Sequence, residues 1–254
     1  AVKQFMKDYD MEYRILEEPL LVVGLGVAFD KKAPTFRHKQ YADYKAGRKK
    51  MPDELGQQLE PLKELLDKFN INRLELAGYE ADDIIGTVAK LGEENNFKVY
   101  IVTGDKDAIQ LASHKTTTLI TKKGVGEVEE YDYDSVLERY EMTPTQFIDL
   151  KGLMGDKSDN IPGVPGIGEK TGIKLLKQYS TIENLIEHTD ELKGSIKKKI
   201  EENKELALMS KELATIITNV PLDIKLEDYY RNPENAYTLE QKEIYLNEEQ
   251  KNKV

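Results

Sequence analysis

The 254-residue chain contains no cysteine, so disulfides and thiolate metal sites are excluded. It has no apolar run long enough to cross a membrane. The longest, "LLVVGLGVAF" from Leu20 to Phe29, is about half of the ~20 residues a spanning helix needs, and its β-branched content suits a buried strand. The N-terminus lacks the basic-then-apolar layout of a secretory signal, which predicts a cytoplasmic location. There is no repeat at a solenoid period and no low-complexity tract. With 39% hydrophobic residues, the chain has the material for one large domain or two small ones of a soluble globular protein.

A net charge of −10 argues at first against a polyanionic partner, because like charges repel. The distribution says otherwise. From Lys31 to Lys50 eight lysines and arginines stand against the single acid Asp43, a local charge of +7. Such a run is commonly a solvated helix face, but "FRHKQYADYKAGRKK" also interleaves aromatics with cations, which suits phosphate pairing combined with base stacking.

The first half alternates strand-like and helix-like stretches. "LLVVGLGVAF", "INRLELAG" and "KVYIVTGD" read as extended, while "MPDELGQQLEPLKELLDKFN" and "EADDIIGTVAKLGEEN" have helical apolar spacing. Alternation of this kind predicts an α/β core with a parallel sheet flanked by helices. From Thr143 onward, "TPTQFIDLKGLMG", "KTGIKLLKQYS", "TIENLIEHT" and "KKKIEENKELALMSKELATIIT" read as successive helices. A boundary near residue 143 therefore separates an α/β part, 1–142, from a helical part, 143–220, and an acidic tail, 221–254, follows.

Eight acids fall at element ends: Asp30 after the first strand; Glu80, Asp82 and Asp83 in "GYEADDIIG"; Asp105 and Asp107 in "VTGDKDAIQ"; Asp156 and Asp159 in "GDKSDN". In an open α/β sheet, ligands sit beyond the carboxyl ends of the strands, where Asp30, Asp105 and Asp107 would project. Glu80 and Asp83 share a face of one helical turn. Each cluster alone has an ordinary explanation as an N-cap or a helix-dipole partner, the latter worth about 0.3–1 kcal/mol per acid. Converging together, they would repel and raise one another's pKa unless cations neutralised them. Oxygen donors without cysteine or clustered histidine select Mg²⁺ or Mn²⁺ over zinc. Two such ions can clamp a phosphodiester, one activating water and the other stabilising the leaving oxygen.

The stretch Gly163–Thr171, "GVPGIGEKT", nearly matches a phosphate-binding P-loop, but Glu169 stands where lysine must follow the second glycine and no strand precedes it. The missing strand also excludes a dinucleotide fingerprint. Lying between two helix-like stretches, Gly163, Gly166 and Gly168 suit a hairpin whose backbone N–H groups approach a phosphate, with Lys170 and a helix N-terminus adding positive charge. Such a loop grips a nucleic-acid backbone without reading bases. The alternative is a glycine-rich turn between helices.

With these motifs assembled, the chain resembles the 5′ nuclease (flap endonuclease) family, in particular the 5′→3′ exonuclease domains of bacterial DNA polymerase I. The likeness runs from "GVAFDKKAPTFRHKQYADYKAGR" through "YEADDIIGT", "TGDKDAIQL" and "LKGLMGDKSDNIPGVPGIGEKT" to the helices near Leu213. These motifs are long and in order, so the match is specific and covers most of the chain. The resemblance implies a PIN-like nuclease core followed by an all-helical DNA-binding region with a helix-hairpin-helix. It implies that Asp30, Glu80, Asp82, Asp83, Asp105, Asp107, Asp156 and Asp159 surround two divalent cations. It further implies a helical arch near residues 31–60 starting at Arg37, with Tyr44 stacking on a base and Lys45 and Arg48 near the scissile phosphate. Gly163 to Lys170 would hold the duplex, with a monovalent cation bound at the loop. The implied substrates are 5′ flaps, nicked duplexes and RNA–DNA primer ends, cut by a monomer that acts beside a covalently following polymerase.

One departure stands out. The family opens with a buried strand ending in an aspartate followed by glycine, whereas "AVKQFMKDYDMEYRILEEP" holds Asp8 and Asp10 with no apolar strand before either. The opening resembles the helix that follows that strand, as though several dozen residues were absent. The sequence thus leaves two readings: a metal-dependent 5′ nuclease, or a catalytically impaired, structure-specific DNA-binding module.

Overall fold

The structure, a computed structural model, describes residues 24–122 and 127–229. Asp8, Asp10, the first residues of "LLVVGLGVAF" and the tail beyond Tyr229 lie outside the described residues. In chain order the elements are β1 (Gly26–Ala28), α1 (Phe36–Gln40), α2 (Asp53–Gly56), α3 (Leu59–Lys68), β2 (Asn72–Leu74), α4 (Ala81–Glu94), β3 (Val99–Thr103), a 3₁₀ turn (Lys106–Leu111), β4 (Thr116–Thr121), β5 (Val128–Tyr131), α5 (Tyr133–Tyr140), α6 (Gln146–Met154), α7 (Glu169–Tyr179), α8 (Ile182–Glu187), α9 (Gly194–Glu202) and α10 (Lys204–Ala214), with short 3₁₀ turns after α8 and near the end. β1 and β2 form a two-stranded sheet, and β3, β4 and β5 form a second sheet in that order.

The chain divides into two compact units, one of residues 1–27, 57–73 and 224–254, the other of 28–56 and 74–223. In the first, the Arg73 guanidinium grips both carboxylate oxygens of Asp67 at 2.7 Å, fastening the end of α3 to β2. The second holds every candidate functional residue. Its sheet pairs β3 with β4 in parallel, Val99 opposite Thr116 and Thr103 opposite Ile120, and adds β5 antiparallel to β4. The parallel pair needs a crossover, and the 3₁₀ turn supplies a short one. β4 reads "TTTLIT"; β-branched side chains suit the pleat, and the Thr118 hydroxyl meets the Ala108 carbonyl at 3.1 Å.

The helical part is built around Leu153, Val164, Leu176, Ile182, Leu185 and Ile200, all buried in one cluster. Burying each such side chain contributes about 1.5–3 kcal/mol. α6 lies close against α8 and α10 because Gly152 has no side chain: a Cβ there would stand 2.5 Å from Ile182 Cδ1 and 2.9 Å from Lys211 Cβ. Asp149 ties the same helices, accepting the Ile182 N–H at 2.9 Å and pairing with Lys211 at 2.7 Å.

Three expectations change in detail. Of the ten-residue strand expected at Leu20–Phe29, residues 20–23 lie outside the described residues, and the rest is strand over Gly26–Ala28, with Leu25 exposed. In place of a continuous helical arch, residues 31–56 carry the five-residue α1, a run of turns and the four-residue α2. The stretch "KKKIEENKELALMSKELATIIT", read as one of a succession of short helices, forms parts of two, broken at Asn203, whose φ of −129° leaves the helical region.

Candidate active site and nucleic-acid interface

The acids gather because four element ends meet. Asp30 follows β1, and its carboxylate accepts the Ala81 N–H at 2.8 Å, at the start of α4. There Glu80 is the N-cap and forms a reciprocal capping box with Asp83, whose Oδ2 takes the Glu80 N–H at 3.0 Å. Beyond β3, Asp105 caps the 3₁₀ turn and accepts the Asp107 N–H at 2.9 Å. Asp156 and Asp159 lie in the loop after α6, whose base is closed by paired bonds between Asp156 and Ile161 at 2.9 and 2.8 Å. One cavity of about 200 Å³ is lined by Asp30, Glu80, Asp82, Asp105, Asp107 and Asp159, together with Arg37, Tyr44, Lys45 and Arg48.

The eight expected metal-site acids fall into distinct environments. Asp83 is fully buried; Arg37 Nη1 and Nη2 donate to its two oxygens at 2.7 Å each, and the Ile217 N–H adds a third bond at 2.9 Å. Glu80 and Asp159 are joined by the turn after α1. Lys45 Nζ lies 2.8 Å from Glu80 Oε1 and 3.7 Å from Asp159 Oδ2, Tyr44 donates its hydroxyl to both acids at 3.1 and 3.2 Å, and Arg48 pairs with Asp159. Asp107 and Asp156 are bridged by Lys151, which lies 2.6 Å from Asp156 and pairs with Asp107. Asp156 does not line the cavity and lies behind Asp107. Among the described residues no cation pairs with Asp30, Asp82 or Asp105.

That inequality has an electrostatic consequence. Burial, reinforced by the charges of Asp105, Asp30, Glu80 and Asp107, pushes the Asp82 carboxyl up to about 7. Burial acts against ionisation of Asp156 too, but hydrogen bonds from Lys151 and Ser158 outweigh it and hold that carboxyl at about 2. Asp107 is raised, its burial only partly offset by Lys151. Among the described residues no group of three acidic or imidazole side chains is gathered closely enough to hold a metal ion as placed, and protein cations stand between several of them. The donor set nonetheless fits a hard divalent cation: every candidate ligand is an oxygen, and Asp82 is a carboxyl crowded by four others with no cation of its own.

Three expected roles are corrected by burial. Arg37 was expected to meet DNA at the start of the arch. It is only 2% exposed; besides Asp83 it donates to the Leu213 and Thr215 carbonyls at 2.9 and 2.6 Å, and its Nη1 lies 3.5 Å from Glu80, so the guanidinium is engaged within the protein. Tyr44 was expected to stack on a base. Its ring is 4% exposed and packed with Ile161, Leu213 and Ala214, and burial, with the Glu80 and Asp159 charges adding, raises its hydroxyl above the usual phenol range. Asp83 has no oxygen left for a metal.

The hairpin is formed as expected, between α6 and α7. Val164 and Ile167 are buried, while Pro165, Gly166, Gly168 and Lys170 are exposed. Gly163 and Gly166 have φ of 63° and 79°, a region that favours glycine, and Gly163 N–H donates to Ser210 Oγ at 3.0 Å. Gly168 is the N-cap of α7 and offers no side chain to its first N–H groups. Lys199 Nζ donates to the Gly166 carbonyl at 2.9 Å.

The comparisons with known proteins agree with this geometry. Residues 4–141 match the 5′-3′ exonuclease N-terminal resolvase-like domain, and residues 142–236 match the 5′-3′ exonuclease C-terminal SAM fold. The chain belongs to the 5′-3′ exonuclease family. This exonuclease-family chain is 56% identical over 201 residues to DNA polymerase I of Bacillus subtilis (strain 168), covering 79% of the chain and 23% of that relative. It is 52% identical over 218 residues to DNA polymerase I of Lactococcus lactis subsp. cremoris, covering 85% and 25%. The chain thus spans about a quarter of the length of the curated relatives it matches. Among solved structures, zinc-bound bacteriophage T5 5′-exonuclease matches with a TM-score of 0.65 at 25% identity, covering 84% of this chain and 78% of that one. A bacteriophage T5 flap endonuclease in a pseudo-enzyme-product complex with DNA and metal ions matches with a TM-score of 0.66 at 25% identity, covering 85% and 79%.

Lys151 is the site residue that the motifs did not bring forward. Its signal was the one cation in "FIDLKGLM", a stretch apolar apart from it and Asp149, five residues before Asp156. No helix among the described residues is long and apolar enough to cross a membrane.

Proposed function

We propose that this chain is a divalent-cation-dependent 5′ nuclease that hydrolyses phosphodiester bonds of 5′-flap and nicked duplex DNA. The observation that carries the reading is the convergence of six carboxylates and the cations Lys45 and Arg48 on one cavity. A bound divalent cation, Mg²⁺ or Mn²⁺ by its oxygen donors, would supply an activated water and neutralise charge at the phosphate. Asp30, Asp82 and Asp105 would hold it first, since no protein cation competes for them, with Glu80, Asp107, Asp156 and Asp159 completing the two-ion site. Lys45 and Arg48 would turn from Glu80 and Asp159 to the scissile phosphate and stabilise its developing charge.

The hairpin would hold the duplex through the N-terminus of α7, Gly166, Gly168 and Lys170. A monovalent cation there would share the Gly166 carbonyl with Lys199. By likeness to the DNA polymerase I relatives, the proposal extends to a cytoplasmic monomer that removes 5′ segments, RNA primer ends included, beside a polymerase. The test compares wild type with Asp105→Asn on a labelled 5′ flap. Asn keeps the cap of the 3₁₀ turn, so flap affinity should persist while turnover falls on the order of 100-fold or more. Equal loss of binding and turnover would contradict the role given to Asp105.

A further inference from the structure

We infer that the last turn of α10 is a spacer between the duplex-gripping hairpin and the acid cavity, and that its two neutral fastenings, Ser210 and Gln110, are positioning residues that set which phosphodiester is cut; this rests on the nuclease reading. Ser210 is fully buried, and its Oγ accepts the Gly163 N–H, at the entry of the hairpin, at 3.0 Å. The next N–H, of Val164, donates to the Leu153 carbonyl at 2.7 Å, and Gly163 lies so close to the backbone of Met154 and Gly155 that no side chain fits there. The hairpin is thus seated on α6 and tied to α10.

One turn further on, α10 ends against the elements that carry the acids. The last carbonyls of a helix have no partner within it, and here three consecutive ones are taken by side chains from outside. Arg37 on α1 donates to those of Leu213 and Thr215 at 2.9 and 2.6 Å. Gln110, on the 3₁₀ turn that follows Asp105, donates its Nε2 to the Ala214 carbonyl at 3.0 Å, and its Oε1 accepts the Ile216 N–H at 2.9 Å. This buried amide therefore grips the chain on both sides of Thr215, using a donor and an acceptor as a backbone segment would. Leu213, Ala214 and Ile216 in turn line the cavity. Ser210 and Ala214 are one helical turn apart, ~6 Å along the axis.

Neither fastening touches a cavity carboxylate, and neither carries a charge. Divalent cations entering the cavity would rearrange the ion pairs of Glu80, Asp107 and Asp159 but leave these bonds in place. Away from water such bonds are stronger, and a donor that loses its partner is costly, so each holds one arrangement. Phosphates on one strand are spaced ~3.4 Å along the helix axis, so a slip of that size moves the cut by a nucleotide, and a misplacement of only ~1 Å can cost a rate factor near 100.

The experiment maps product lengths from an end-labelled 5′-flap duplex at single-nucleotide resolution, with Mg²⁺, for wild type, Gln110→Met, Ser210→Ala and Ile200→Val. The last is a control that thins the helical core at a buried residue outside this path. Thermal melting and flap affinity in EDTA are measured alongside. Wild type and Ile200→Val should each give one dominant product. Gln110→Met and Ser210→Ala should each spread the cut over neighbouring positions and lower kcat about 10-fold or more, with flap affinity in EDTA within about 3-fold of wild type. The wild-type product pattern from either variant in folded form would overturn the proposal. An equal spread from Ile200→Val would overturn it too, since the pattern would then report stability alone. If one of the two variants does not fold, the other decides, and loss of fold in both would make the residues structural and overturn the proposal as well. A wild-type protein that cuts no flap removes the nuclease reading itself, and this is seen before any variant is compared.

Discussion

Arg37 and Asp83 show how one pair can look like surface chemistry and act as a rivet. The guanidinium lies on α1, the carboxylate on the first turn of α4, and the two carbonyls that complete the shell belong to Leu213 and Thr215 at the end of α10. Removing one partner strands a buried charge, so Arg37→Met should destabilise the protein by about 3–5 kcal/mol in urea unfolding. Because Arg37 is buried and paired with Asp83, the salt dependence of flap binding by the folded variant should match wild type. Asp82 predicts the opposite kind of effect. Its carboxyl is raised to about 7 in the folded chain against an ordinary value near 3.8. The folded state therefore binds more protons between these values, and stability falls as pH rises through that window. In EDTA, Asp82→Asn should melt higher than wild type at pH 8, with the gain shrinking toward zero as pH falls to about 4. A constant difference across that range would show that the Asp82 carboxyl is not raised in the folded chain. The sequence marked eight acids at element ends, of which six line the cavity, but it did not sort them, because sorting depends on which cation reaches which carboxylate. Arg37 and Lys151 reach theirs across 46 and 44 residues.

Among the elements, legibility followed how local the determinant was. α4, β3, α6 and α7 could be read from periodicity and from their capping and glycine signals. β4 and β5 could not, since "TTTLIT" and "VEEY" become strands by pairing with each other and with β3. The turn from Tyr41 to Arg48 was legible as basic and aromatic but not as folded onto the acids. That folding uses Lys45 at φ 58°, its N–H bonded to the Asp159 carbonyl at 2.8 Å, and the Asn160 side chain bonded to the Asp43 carbonyl at 2.7 Å. Divalent cations would compete with Lys45 and Arg48 for Glu80 and Asp159. Adding Mg²⁺ without DNA should therefore speed tryptic cleavage at Lys45 to Lys50, and an unchanged rate would count against the competition. In the hairpin, Lys170 is exposed beside the N-terminus of α7, so Lys170→Ala should reduce the salt slope of duplex binding by about 1 and weaken all sequences alike.

For the whole molecule, a net charge of −10 pointed away from DNA, and the arrangement points toward it. Six of the 47 acids line the cavity, where divalent cations would neutralise them, while lysines mark the hairpin and the turn after α1. Among the described residues every strand lies before the change of periodicity near residue 143 and helices follow it, although the compact units divide elsewhere. The three-dimensional meeting of four element ends was visible only through the family likeness. The central claim is that these carboxylates work through divalent cations to cut DNA at 5′ structures. The most direct measurement is cleavage of a labelled 5′-flap duplex with Mg²⁺ and with EDTA. The account predicts a discrete product with Mg²⁺ and none with EDTA. Flap cutting that persists in EDTA, or flap binding without any product in Mg²⁺, would contradict it.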